Sequence, residues 1–168
     1  ITPIPNRLTV SLSLSQDKSI LSAFDGNARN MVKRFKREGA TIEETELAED
    51  FEQFVEIYKH TMRRVSADDF YYFDLGHYDR LRRLTLGPAK LYVVKRDGKI
   101  AAGAVFLMGS DLLHYHLSAT DSDNKVVGAT NALIAKAAEQ GQQHGLKRLH
   151  FGGGQSNLPN DRLLKFKR

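Results

Sequence analysis

The sequence predicts one α/β (α+β) domain on a mixed sheet, with a central antiparallel meander flanked by helices. Three observations carry this. Asp97-Gly98 is a strong short hairpin signal, and the apolar runs on either side of it read as paired strands. An Ala-rich helical segment over 128–144 separates two further strand-like runs, the spacing of a crossover that leaves its strands parallel. Phe51, Phe54, Val55, Tyr58 and Met62 recur at helical intervals as one apolar stripe.

The elements follow in order. Thr2-Pro3-Ile4-Pro5-Asn6 reads as extended chain, because two prolines forbid regular pairing. Leu8, Val10, Leu12 and Leu14 alternate with polar residues, the period of a half-buried strand. Ser15 or Asp17 can cap a following helix, which Asp25-Gly26-Asn27 interrupts as a turn. A second helical piece carries Arg29, Lys33, Arg34, Lys36 and Arg37 and stops at Gly39. Thr41 to Thr45 reads as a short strand, and Glu49 or Asp50 opens the helix of the aromatic stripe. After a polar, aromatic-rich connection from Ser66 to Phe73, Leu75, Tyr78, Leu81 and Leu84 mark a helix closed by Gly87-Pro88. Strands are expected at 91–95, at 100–108 (nearly all apolar and so central) and at 112–118, where Leu113, Tyr115 and Leu117 alternate with His114 and His116. A last strand over 148–151 is broken by Gly152-Gly153-Gly154, and Asp161 can cap a final helix. The expected organisation is residues 1–39 as an extended segment, strand and basic helical lead-in, and 40–168 as the main domain. The start at Ile1 and the run Leu163 to Arg168 suggest a piece of a longer protein, cut at its C-terminal end.

Composition narrows the chemistry. A chain of 168 residues, 41% hydrophobic and 27% charged, fits one folded domain and argues against disorder along its length. The absence of cysteine removes disulfides, thiolate metal sites and a cysteine nucleophile, and it is compatible with the cytoplasmic location expected here. No apolar run approaches the roughly 18 residues of a membrane span. The net charge of +5 favours anionic partners such as phosphates, nucleotides or RNA. Gly152-Gly153-Gly154 lacks the Gly-Lys-Ser/Thr of a phosphate-binding P-loop, and no Gly-x-Ser-x-Gly elbow is present. His114 and His116 share a strand face and His150 could join them, but no carboxylate or cysteine completes a zinc set, so no metal is expected.

Four segments carry a resemblance to a known family: Asn27 to Arg34; Tyr58 to Arg64 with Phe70-Tyr71-Tyr72-Phe73; Leu113 to Asp121 with Gly128-Ala129-Thr130-Asn131; and Phe151 to Gly154 with Leu164-Lys165-Phe166-Lys167. In order and spacing over residues 8–168 they resemble the FemAB-like branch of the GNAT acyltransferase superfamily. That branch contains peptidoglycan peptidyltransferases that take an amino acid from aminoacyl-tRNA, and the likeness is to their second domain. The resemblance implies a GNAT-like sheet and an acyl- or aminoacyltransferase that forms an amide. The donor would be aminoacyl-tRNA or acyl-CoA, with no further cofactor. The acceptor would be an amine, whether a small molecule or a peptidoglycan precursor, and an upstream domain would pack against this one.

Site residues follow from the same likeness. Phe166-Lys167 matches a Phe-Lys pair whose lysine lies at the reacting carbonyl, where a fixed cation stabilises a tetrahedral oxyanion. Arg64 with Tyr71 resembles the pair that holds a nucleotide or cell-wall precursor, an arginine fork suiting a diphosphate, with Arg63 as an equal candidate. Lys125-Val126-Val127-Gly128-Ala129-Thr130 is a degenerate version of the loop that holds a coenzyme A diphosphate, making Gly128 and Ala129 cofactor-binding candidates. The His114–His116 face would line the cleft where the central strands splay, with His116 relaying a proton and Gly153 allowing close backbone approach. Two other classes stay open: a non-catalytic module binding an anionic ligand or partner, and a basic RNA-binding domain using helix 29–37.

Overall fold

The computed structural model describes residues 8–15, 17–154 and 161–167; the expected loop at Thr2–Asn6 lies outside them. In chain order the elements are β1 (Thr9–Ser13), a 3-10 turn (Ile20–Ala23), α1 (Gly26–Phe35), β2 (Thr41–Thr45) and α2 (Ala48–Arg64). A second 3-10 turn (Asp69–Tyr71), α3 (Leu75–Thr85), β3 (Ala89–Arg96), β4 (Lys99–Met108) and β5 (Leu112–Thr120) follow. The chain then forms α4 (Ala129–Gln143), β6 (Arg148–Gly153) and α5 (Arg162–Lys167).

One six-stranded mixed sheet runs β1-β6-β5-β4-β3-β2. The expected meander is present: β3 pairs antiparallel with β4, and β4 with β5. Asp97 and Gly98 both take positive φ, at 52° and 74°, the backbone of the tight turn whose twist matches its flanking strands. The α4 crossover returns β6 parallel to β5. No helix among the described residues is long and apolar enough to cross a membrane.

Two departures stand out near the N-terminal end. The helix expected after Ser15 or Asp17 is only the 3-10 turn at Ile20–Ala23, because Ile20 is its sole buried side chain. Asp25-Gly26-Asn27 starts a helix instead of interrupting one: the Asp25 carboxylate accepts from the Ala28 N–H at 2.6 Å and caps α1. Aspartate serves caps and turns by the same local hydrogen bonding, which is why the two look alike in sequence. The strand and basic helix of the lead-in are built into the same sheet and core, β1 pairing with β6 and α1 packing on α4.

Two apolar clusters cover the two faces of the sheet. One joins Phe35, Tyr92, Phe106, Leu133, Ala138 and Leu149 under α1 and α4. The other joins Phe51, Phe54, Tyr58, Tyr78, Leu81, Leu91 and Val105 under α2 and α3. The aromatic stripe of α2 thus faces the sheet, with Phe54 fully buried. Ahead of α4, Gly128 takes φ 77°, and a Cβ there would fall 2.1 Å from the Met31 carbonyl oxygen of α1. Gly128→Ala should therefore cost about 2 kcal/mol from left-handed backbone and forced displacement of α1. Denaturant unfolding checks this; a loss below about 0.5 kcal/mol, the range of ordinary surface changes, would show that α1 does not press on this glycine.

Candidate active site

The cleft forms where the sheet comes apart. β5 and β6 share only the pairs Leu112–Arg148, Leu113–Leu149 and His114–His150. Beyond them β6 continues against β1, with Gly152 opposite Val10 and Gly153 opposite Thr9, while β5 stays with β4. Val105 pairs with Leu117 and Phe106 with Tyr115, so His116 is an extra residue, a β-bulge. The bulge swaps the faces of the strand. Leu113 and Tyr115 lie in the cluster under α4, whereas Leu117 and Ala119 lie in the one under α2. Across the gap Phe151 bulges in the β1–β6 ladder in the same way.

A cavity of about 630 Å³ occupies this gap. Tyr58, Thr61 and Arg64 of α2, Tyr71, His114, His116 and Ser118 of β5, Thr130 of α4, Gly152 to Gly154, and Arg162, Phe166 and Lys167 of α5 line it. Lys167, His116, Arg64, Tyr71, Phe166 and Gly153 are thus brought together. Gly128 and Ala129 are not among these walls. A Cβ at Gly128 would run into Met31, Ala129 is buried, and Thr130, in the first turn of α4, reaches the cavity. Arg63 is separated from Arg64: it lines only a neighbouring cleft with Glu56, His60 and Asp121, whereas Arg64 borders both.

Lys167 is half-buried, and its Nζ donates to the carbonyl oxygen of Gly153 at 2.7 Å. Burial lowers its pKa below the ordinary lysine value, and the charge of nearby Asp161 offsets part of that. Asp161 also caps α5, accepting from the Leu164 N–H at 2.7 Å, so one carboxylate both starts the helix and faces its cation. An ammonium has three donors, and the Gly153 contact uses one of them. Lys165, two residues earlier, is exposed and does not line the cavity. Arg64 Nη2 donates to Thr120 Oγ1 at 2.9 Å, which holds the guanidinium at the cavity mouth. Thr61 Oγ1 in turn donates to the Thr120 carbonyl oxygen at 3.1 Å and accepts from its N–H at 3.2 Å, tying α2 to the end of β5. Burial lowers the His116 pKa, with His114 and His77 adding to the shift.

Sequence reasoning missed Arg162, Thr61, Ser118 and Thr130 as walls. Their signal was weak, since single polar residues show their orientation only once helices and strands are packed. The walls carry three cations, Lys167, Arg64 and Arg162, and no carboxylate among the described residues. Among the described residues no group of three or more His, Cys, Asp or Glu side chains is placed to hold a metal ion.

A mixed sheet that splays between β5 and β6, with a cationic cleft at the split, is the architecture of this α/β domain. The sequence matches the Acetyltransferase (GNAT) domain family over residues 23–168, and the chain belongs to that family. No curated protein matches it. Among solved structures it is similar in fold to FemX, with TM-score 0.72 and 15% identity over 92% of this chain and 54% of that one. It is likewise similar to L-PGS from Bacillus licheniformis, with TM-score 0.64 and 18% identity over 90% of this chain and 47% of that one. An aminoglycoside acetyltransferase from an uncultured soil metagenomic sample gives TM-score 0.56 and 19% identity over 76% of this chain and 84% of that one. The chain spans about half the length of FemX and of L-PGS.

Proposed function

We propose that this domain transfers an acyl or aminoacyl group from an activated ester or thioester to an amine, forming an amide. The observation that carries this is a half-buried ammonium, Lys167, held on the Gly153 carbonyl inside a cleft whose walls bear cations and no carboxylate among the described residues. Attack of an amine on the donor carbonyl places a negative charge on oxygen, and a cation fixed beforehand stabilises that charge more than it stabilises the neutral ester. Arg64 and Arg162 at the rim suit the phosphates of a large anionic donor. A coenzyme A diphosphate would use the N–H groups that open α4. Gly128 and Ala129 at that opening do not line this cavity, where only Thr130 of that helix reaches, and this favours an ester-linked aminoacyl donor such as aminoacyl-tRNA. The resemblance of the four sequence segments to the FemAB-like branch favours a peptidoglycan-precursor amine as acceptor.

Donors and acceptors should be tested in parallel. The intact protein is incubated with charged tRNA or with acyl-CoA, each with a set of amines that includes a peptidoglycan-precursor peptide, and new amides are sought by mass spectrometry. Transfer from charged tRNA and not from acyl-CoA is the expected result. Saturable, salt-sensitive binding without turnover from any donor would point instead to the non-catalytic module.

A further inference from the structure

At the crotch of the split sheet sits a histidine pair that the transfer chemistry above leaves unused. His114 and His150 are the last residues paired between β5 and β6, so their side chains stand side by side on one face. Their rings stack at 5.2 Å between centroids, and their Nδ1 atoms are 3.1 Å apart. Two ring nitrogens at that distance share one proton, so one of them donates and the other accepts.

A third contact decides which. The backbone N–H of Gly152 donates to His150 Nδ1 at 3.3 Å. A nitrogen that accepts an N–H carries a lone pair and no proton, so His150 Nδ1 is the acceptor and the shared proton belongs to His114 Nδ1. A neutral imidazole has one N–H, which leaves His114 Nε2 bare. His114 is a wall of the same cavity as Lys167. Among the described residues no hydrogen bond orients the ring of His116, which contacts His114 only ring to ring at 6.1 Å.

We propose that His114 Nε2 is the general base of the transfer and that His150 is its positioning residue, fixing the tautomer that leaves Nε2 free. This rests on the acyl-transfer reading of the cleft. The acceptor nitrogen forms a bond to the donor carbonyl carbon while His114 Nε2 takes one of its protons. The tetrahedral intermediate then collapses, the bond from carbon to the ester oxygen (or thioester sulfur) breaks, and the proton passes from Nε2 to the departing atom. Nothing is oxidised or reduced. The charged and titratable groups that act on or touch His114 are His116 on its own strand, His150 from β6 and Lys167 of α5, with Arg64 lining the same cavity as a further cation. Burial is the largest cause of a lowered His114 pKa, followed by the charges of His150 and Lys167, while the backbone of His150 opposes the shift.

Two measurements test the pair. Imidazole nitrogen NMR of the labelled intact protein should show His114 protonated at Nδ1 and bare at Nε2, with His150 the reverse, and His114 titrating below the usual histidine value. A proton on His114 Nε2 overturns the proposal whether or not any donor is turned over. In the transfer assay His114→Gln should lower kcat about a hundredfold and abolish the acid limb of the rate profile. His150→Leu should cost most of the same factor, whereas His150→Asn, whose amide oxygen can accept in place of Nδ1, should recover much of it. Full activity with an unchanged acid limb in His114→Gln would remove the base while leaving the transfer reading intact. Absence of transfer by the unaltered protein would strike that reading and leave the tautomer test to decide the pair.

Discussion

Replacing Lys167 by methionine should lower turnover by about a hundredfold or more, the usual scale for removing one preorganised oxyanion partner. Methionine keeps the length and loses the charge. The effect should fall on kcat, with KM little changed, because the oxyanion exists only beyond the ground state. Folding stability should move by no more than about 1 kcal/mol, since the lost hydrogen bond to Gly153 is offset by relief of burying a cation. Lys165→Met, on the exposed side of α5, is the control and should be nearly silent. Equal activity of the two variants would take Lys167 out of the mechanism. The pH dependence has a definite sign. With the folded-state pKa of Lys167 depressed, the ammonium is lost at a pH below the ordinary lysine range, so the alkaline fall in activity should begin early. Stability behaves the other way in that window. The unfolded chain binds the proton there and the folded one does not, so this lysine's destabilising contribution is relieved as pH rises toward its ordinary value of 10.5.

Phe54→Ala should destabilise the protein by about 3 to 5 kcal/mol. Phe54 is fully buried, meets Phe51 and Tyr58 at ring-centroid distances of 6.3 Å, and lies over Gly103 of β4. That glycine exists to admit the ring: a Cβ at Gly103 would stand 2.6 Å from Phe54 Cδ2. Gly103→Ala alone should therefore destabilise by overpacking. In combination with Phe54→Leu the two costs should be less than additive, because the smaller side chain vacates the space the methyl needs. Strict additivity in denaturant titrations would show that the ring and the glycine do not press on each other.

Much of the architecture was legible because buried surfaces impose a period. The stripe of α2 and the runs of β3, β4 and β5 carried it without interruption, and Asp97-Gly98 fixed the hairpin between β3 and β4. The bulge at His116 was hidden by that same regularity. Apolar residues continue at 113, 115, 117 and 119 straight through it, because helices cover both sides of the sheet and either side accepts them. The short N-terminal helix was over-read because good capping residues at 15 and 17 precede a segment with one buried side chain. Lys167 was legible only through family resemblance, since Lys165-Phe166-Lys167-Arg168 by itself reads as a solvated charge run. The facing of His114 by His150 could not be read at all. It depends on which strands pair and in what register, information spread over the crossover and not present near either residue.

The partnership of β1 with β6 bears on the order in which the molecule assembles. β3, β4 and β5 pair with their chain neighbours through short connections, so little entropy opposes their meeting. β6 enters the sheet between β5 and β1, and Thr9 meets Gly153 only after nearly the whole chain has been brought around. The glycine strand that borders the cleft is thus closed by β1, the partner most distant from it in sequence. Its amides should exchange with solvent through local openings that leave the meander intact. Mild heat or denaturant would then silence the cleft before the bulk of the protein comes apart, and this chain's working lifetime would be set by its outermost strand.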